Sequence, residues 1–79
     1  MEGINLNTAR SLIGKNVNLH LRDGSVIVNV VLSDVEKDSL NKKPLVKCTP
    51  YRRKNILTIP LKNVAWAELV TLQLFLANA

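Results

Sequence analysis

The sequence predicts a mostly β domain: a short N-terminal helix followed by five short strands in a strongly bent antiparallel barrel. Three observations carry this. Apolar residues alternate with polar ones in short runs, as in "NVNLHL", instead of recurring at helical spacing over long windows. "DG" at Asp23 and Gly24 separates two such runs, and both residue types tolerate the positive φ that a tight hairpin needs. The chain has 79 residues, which is one domain at most, so residues 1–79 are read as a single unit.

The elements follow in order. "NTARSLIG" reads as a helix over about residues 7–13. Asn7 is the expected N-cap, Ala9, Leu12 and Ile13 lie at helical spacing, and Gly14 suits the left-handed residue that ends a helix. Two turns do not persist alone in water, so this helix must lay its apolar side on something. "KNVNLHLR" is a half-buried strand with Val17, Leu19 and Leu21 on one face and His20 on the other. The second strand runs from Ser25 to about Val35 and is apolar at nearly every position, with Ile27 and Val31 expected on a face that needs its own cover. "EKDSLNKKP" is a polar loop, "LVKCT" a third strand and "PYRRKN" a basic turn. "ILTIPL" is a fourth strand, and Pro60, which cannot donate to a ladder, is expected at an edge or a strand end. "KNVAWAELV" is a fifth, alternating Val64, Trp66 and Glu68 against Ala65, Ala67 and Leu69. The barrel is thus expected over about residues 16–70. The tail 71–79 is apolar and reads equally as a strand or as a helical face, packed on its own barrel or on a neighbour.

Composition narrows the function classes. A single cysteine, Cys48, makes no intrachain disulfide, and one His with one Cys makes no zinc site of standard spacing. Domains of this size are marginal alone, and self-association is the remedy left to a chain that is 47% hydrophobic. An open barrel also leaves strand edges with unpaired amides and carbonyls, which a second copy can satisfy. If each copy offers one edge and accepts another, the contact is head-to-tail and closes into a ring. The net charge of +5 fits either an anionic partner such as nucleic acid or plain solubility. The opening "MEGINLNTAR" lacks a basic start followed by an apolar run, and no stretch approaches the roughly 20 apolar residues of a membrane helix. A lone thiol fits a reducing compartment, so a cytoplasmic location without membrane contact is expected. No carboxylate pair, nucleophile–base pair or glycine-rich phosphate loop assembles, so no enzyme activity and no cofactor are expected.

"LIGKNVNLHLRDGSVIVNVVL" resembles the first Sm motif of Sm-like proteins, the group that includes eukaryotic and archaeal Sm and LSm proteins and bacterial Hfq. The matching features are Gly14-Lys15, the alternating Val17, Leu19 and Leu21, the Asp23-Gly24 turn and the apolar second strand. "ILTIPLKNVAWAEL" stands in the place of the second Sm motif, and the resemblance spans about residues 7–70. It implies an Sm-like barrel, a homo-oligomeric ring of five to seven copies and RNA as partner. The sequence also departs from the family. Asn29 stands where the family has a glycine. "SDVEKDSLN" offers Asp34, Asp38 and Asn41 without the family's Asp–Asn register, Pro60-Leu61 replaces Arg-Gly, and Leu61-Lys62 replaces the Lys-His of Hfq. The fold-bearing residues are present and the nucleotide-reading ones are largely replaced.

The candidate RNA-binding residues are Lys62, Asn63, Arg52, Arg53, Lys54, Tyr51 and Lys15. Lys62 and Asn63 occupy the loop that, by the resemblance, lines the ring's opening. There one lysine per copy becomes a circle of charge and an asparagine can bond a base edge; otherwise they form an ordinary turn. Arg52, Arg53 and Lys54 beside Tyr51 combine phosphate-binding charge with a stacking ring, or are the solvated charges of a turn. Lys15 follows the helix, whose face contacts RNA in the family. Lys42 and Lys43 read as plain loop charges, His20 as a surface histidine, Cys48 as a small core hydrophobe, and Trp66 as core or subunit packing. The sum is an Sm-like ring that binds single-stranded RNA mainly by charge. The alternative is a ring-forming structural or protein-interaction module without nucleic acid.

Overall fold

A computed structural model describes residues 4–50 and 53–70 of the chain. They form a mostly β domain with a short N-terminal helix, as the sequence predicts. Helix α1 (Leu6–Ser11) is followed by strands β1 (Asn16–Leu21), β2 (Val26–Lys37), β3 (Pro44–Pro50) and β4 (Leu57–Pro60). A one-turn 3-10 helix (Leu61–Asn63) then leads into β5 (Val64–Leu69). The expected tail, residues 71–79, lies outside the described residues.

The helix starts earlier than its sequence suggests. Asn5, not Asn7, is the N-cap, and its side-chain oxygen accepts from the Thr8 amide at 2.8 Å. Both asparagines are capping types. Asn5 holds the extended backbone a cap requires (φ −87°, ψ 170°), which leaves Asn7 inside the first turn. Ala9 is fully buried, and Ile4, Leu6 and Leu12 pack on the core, so tertiary contact holds this six-residue helix. Gly14 takes the left-handed conformation (φ +87°), and its amide donates to the Leu32 carbonyl at 2.7 Å. The Leu32 amide returns a bond to the Lys15 carbonyl at 3.1 Å, docking the helix exit onto the middle of β2.

The five strands form one antiparallel sheet in the order β4-β3-β2-β1-β5. The sheet does not close: among the described residues no ladder joins β4 to β5, which are its two outer strands. It is nonetheless strongly bent. A straight strand of the twelve residues of β2 would span about 36 Å. Yet the turn before β2 and the β3 residue paired with its far end both reach the same 3-10 turn. The Arg22 amide bonds the Asn63 carbonyl at 2.9 Å, while Pro44, opposite Lys37, lines one concavity with Arg22, Leu61 and Lys62.

Three β-bulges produce the bend, each placing one extra residue in a strand. Val28 and Asn29 together oppose Asn18, Ser33 is extra between Leu32 and Asp34, and Ala65 is extra between Val64 and Trp66. Each bulge switches which face the following residues take. In β2 the inward residues are Ile27, Val30, Leu32 and Val35, at spacings of three, two and three. A strand whose inner face changes phase twice needs apolar residues at both parities, which is why β2 reads as apolar throughout. Ile27 therefore packs on the core, contrary to its expected outward place, and Val28 is the outward residue, 67% exposed. In β5, Val64 and Ala67 face in and Trp66 faces out at 42% exposure. Trp66 is not a core residue. The largest fully buried side chains of the core are Val17, Leu19, Val30, Leu32, Val46, Cys48 and Val64, and burial pushes the Cys48 thiol pKa up.

Asn29 is left-handed (φ +54°) at its bulge, the position where the resemblance implies a glycine. Its amide donates to Asn18 Oδ1 at 2.8 Å and its side-chain oxygen accepts from Asn16 Nδ2 at 3.0 Å. Among chiral residues asparagine adopts this conformation at the least cost, whereas a β-branched residue is strongly disfavoured there. Asn29→Val is expected to lower the unfolding free energy by about 2 kcal/mol in urea denaturation, and Asn29→Gly to stay within about 1 kcal/mol of the parent. Equal stability of the two variants would show that the bulge does not depend on this conformation.

Candidate nucleic-acid interface

The 3-10 turn is built by its neighbours. Pro60 presets its entry with φ −58°, and Leu61 turns inward and is 7% exposed. That leaves Lys62 and Asn63 on the surface. Arg22 holds both of their carbonyls: its amide bonds Asn63 O, and its Nε donates to Lys62 O at 2.6 Å. Arg22 is itself set by the hairpin beside it. Gly24 (φ +93°) donates to the Leu21 carbonyl, and the Asp23 carboxylate accepts from both the Ser25 hydroxyl and the Ser25 amide. Those two bonds hold the Asp23 pKa below its ordinary value.

The β2–β3 loop reaches the same place. Asp38 Oδ1 accepts from the Leu40 and Asn41 amides at 2.7 and 3.2 Å, and the Asp38 amide bonds the Lys43 carbonyl at 2.8 Å. Lys42 takes the left-handed conformation at φ +63°. The folded loop and the end of β4 enclose a cleft of about 370 Å³ lined by Asp38, Asn41, Lys43, Pro44, Pro60 and Lys62. Lys62 also borders the concavity shared with Arg22 and Pro44. Three cations from three separate connections, Arg22, Lys43 and Lys62, therefore lie around the 3-10 turn. Asp23 and Asp38 are the carboxylates among them, and both are bonded to backbone amides of their own turns.

The candidate residues divide. Lys62 and Asn63 stand together on the 3-10 turn. Arg53 and Lys54 are exposed in the β3–β4 connection, where the Arg53 amide bonds the Pro50 carbonyl at 3.1 Å. That is the opposite end of β3 from Pro44, about 20 Å away along a seven-residue strand. Tyr51 and Arg52 lie outside the described residues. Lys15 sits at the exit of α1 against the middle of β2, away from the 3-10 turn. Charge density along the sequence points to residues 52–54, whereas the fold gathers its cations at Arg22, Lys43 and Lys62. Arg22 is not singled out by the sequence and Lys43 reads there as a plain loop charge, because each adjoins a turn with a carboxylate in it, so local charge looks balanced.

The outer face of β1 and β5 holds a second group that sequence reading did not assemble. His20 and Trp66 face each other across the strands and stack, with ring centroids 3.7 Å apart and planes 9° from parallel. Glu68 Oε1 accepts from Asn18 Nδ2 and contacts His20 Nε2, each at 3.2 Å. The Asn18 bond, and after it the His20 bond, hold the Glu68 pKa below its ordinary value.

Searches of the chain against family models, curated proteins and solved structures find no match. Among the described residues no helix is long and apolar enough to cross a membrane.

A carboxylate whose pKa is lowered by folding adds stability above its unfolded pKa and loses it as pH falls through the folded value. For Glu68 that window lies below about pH 4.5. The parent is therefore expected to lose thermal stability between pH 5 and pH 3 more steeply than Glu68→Gln. Parallel melting curves across that range would remove Glu68 from the acid response.

Proposed function

We propose that this chain assembles head-to-tail into a homo-oligomeric Sm-like ring and binds single-stranded RNA through charge, at the rim formed by Arg22, Lys43 and Lys62. One observation carries the reading: the 3-10 turn that bears Lys62 and Asn63 joins β4 and β5, the two outer strands of the sheet among the described residues. If the β4 edge of one copy pairs with the β5 edge of the next, every contact brings another copy of that turn to the same end of the assembly. Three cations per copy then become a continuous positive circle, whose field no single copy can make. Asn63 supplies a donor and an acceptor for base edges, and Arg22 holds the turn in place for both. The compartment in this reading is the cytoplasm, where the single thiol of Cys48 stays reduced.

A second reading, a ring that serves as a scaffold or protein-interaction module without nucleic acid, is favoured by Pro60 and Leu61. They stand where the resemblance implies an Arg-Gly pair, and Leu61 is buried instead of reaching a ligand.

Light scattering coupled to size exclusion should give a multiple of the 8.8 kDa chain mass. Binding of a short labelled single-stranded RNA should weaken steeply between about 50 and about 200 mM salt. Lys62→Ala should flatten the log–log salt slope by about 0.7 for each phosphate it neutralises, with Arg53→Ala leaving the slope near the parent's. A ring with no salt-dependent RNA binding sinks the first reading and leaves the second.

A further inference from the structure

Resting on the RNA reading, we infer that a concavity between the Asp23-Gly24 hairpin and the 3-10 turn takes a guanine base, read by Arg22, Asp23 and Asn63. Neighbouring residues of the turn serve two separate hollows. Lys62 lines the cleft of the β2–β3 loop, whereas Asn63 lines a second one of about 400 Å³ with Leu21, Arg22, Asp23 and Ile59. The two share no residue. Leu21 and Ile59 pack on the core, which gives the second hollow apolar walls. Its polar groups are held in place. The Arg22 amide bonds the Asn63 carbonyl, Arg22 Nε bonds the Lys62 carbonyl, and Asp23 Oδ1 accepts from the Ser25 amide and hydroxyl. Small-molecule sites start at about 300 Å³, so the space suits a single base between apolar walls.

The uncommitted atoms choose the base. Among the described residues, Asp23 Oδ2, the Arg22 terminal nitrogens and the Asn63 side-chain amide make no bond. The Ser25 bonds hold the Asp23 pKa below its ordinary value, so this carboxylate only accepts at neutral pH. A carboxylate repels phosphate, which favours entry of a base over the backbone. It also asks for donors, while the guanidinium asks for acceptors. Guanine alone among the four bases carries two adjacent donors, N1–H and the 2-amino group, next to two acceptors, O6 and N7. The fork of an arginine matches O6 and N7. Uracil would set a carbonyl oxygen beside the carboxylate on either side of its one N–H. Adenine and cytosine offer one amino group beside a ring-nitrogen acceptor. Asn63 can give or take a bond at either guanine edge. Lys62, across the turn, stays with the phosphate.

Calorimetric titration of the full chain with the 5′-monophosphates of guanosine, adenosine, cytidine and uridine at one salt concentration tests this. The phosphate is common to all four, so its charge cancels in the comparison. The guanosine nucleotide should bind about tenfold tighter than the other three. Inosine monophosphate, which lacks only the 2-amino group, should bind about threefold more weakly than the guanosine nucleotide. Asp23→Asn keeps an oxygen for the Ser25 amide but sets an amide in place of the carboxylate. It should bring the guanosine nucleotide down to the level of the adenosine one, with circular dichroism confirming the fold. Equal affinity for the four nucleotides, inosine equal to guanosine on the parent chain, or a guanine preference that survives in Asp23→Asn overturns the site. If RNA still binds with its salt slope while the four nucleotides bind alike, the site falls and the RNA reading stands. Failure of both RNA and nucleotides to bind overturns the two together.

Discussion

The structure depends on bending β2. Twelve residues of strand are too long to lie straight across so small a core, and the chain resolves this with extra residues at Asn29 and Ser33. Each bulge leaves polar groups out of the ladder, and each finds a partner nearby. Asn29 bonds Asn18 and Asn16, the Ser33 hydroxyl donates to the Lys47 carbonyl at 3.0 Å, and Asp34 Oδ1 accepts from the Val35 amide at 2.8 Å. Unpaired backbone groups inside a sheet cost about 1–3 kcal/mol each, a large share of the stability of so small a domain. The polar side chains beside the bulges therefore matter as much as the apolar ones beneath them.

The bend also decides where the charge goes. Because β2 curls, the hairpin that precedes it and the loop that follows it arrive at the same 3-10 turn. Arg22, Lys43 and Lys62 come from positions 22, 43 and 62, with no two in one local segment. Arg22 joins fold to site most directly, since it ties the carbonyls of Lys62 and Asn63 to the hairpin. The buried Leu61 beside them anchors the same turn from below. This turn is held by the Arg22 amide and Nε bonds and by the packing of Leu61.

The open edges are the other consequence. Among the described residues β4 and β5 are the outer strands, joined in sequence by the 3-10 turn and not paired with each other. The two edges carry different chemistry on their outer faces. β5 presents an aromatic stack and an acid, while β4 is preceded by an aliphatic residue and a base.

The sequence alone determined the local events. The left-handed glycines at 14 and 24, the hairpin at Asp23-Gly24, the edge position of Pro60, the outward His20 and the buried Cys48 follow from the conformational limits and polarity of single residues and their neighbours. The start of α1 was legible only to within two residues, because Asn5 and Asn7 cap equally well in isolation. What only the tertiary structure decided was facing and proximity. Period-two reasoning put Ile27 outside and left Trp66 to packing, since it cannot see the bulges that reset the phase in β2 and β5. The meeting of Arg22, Lys43 and Lys62 was equally out of reach: it depends on the accumulated curvature of a whole strand, and no window of neighbouring residues contains that.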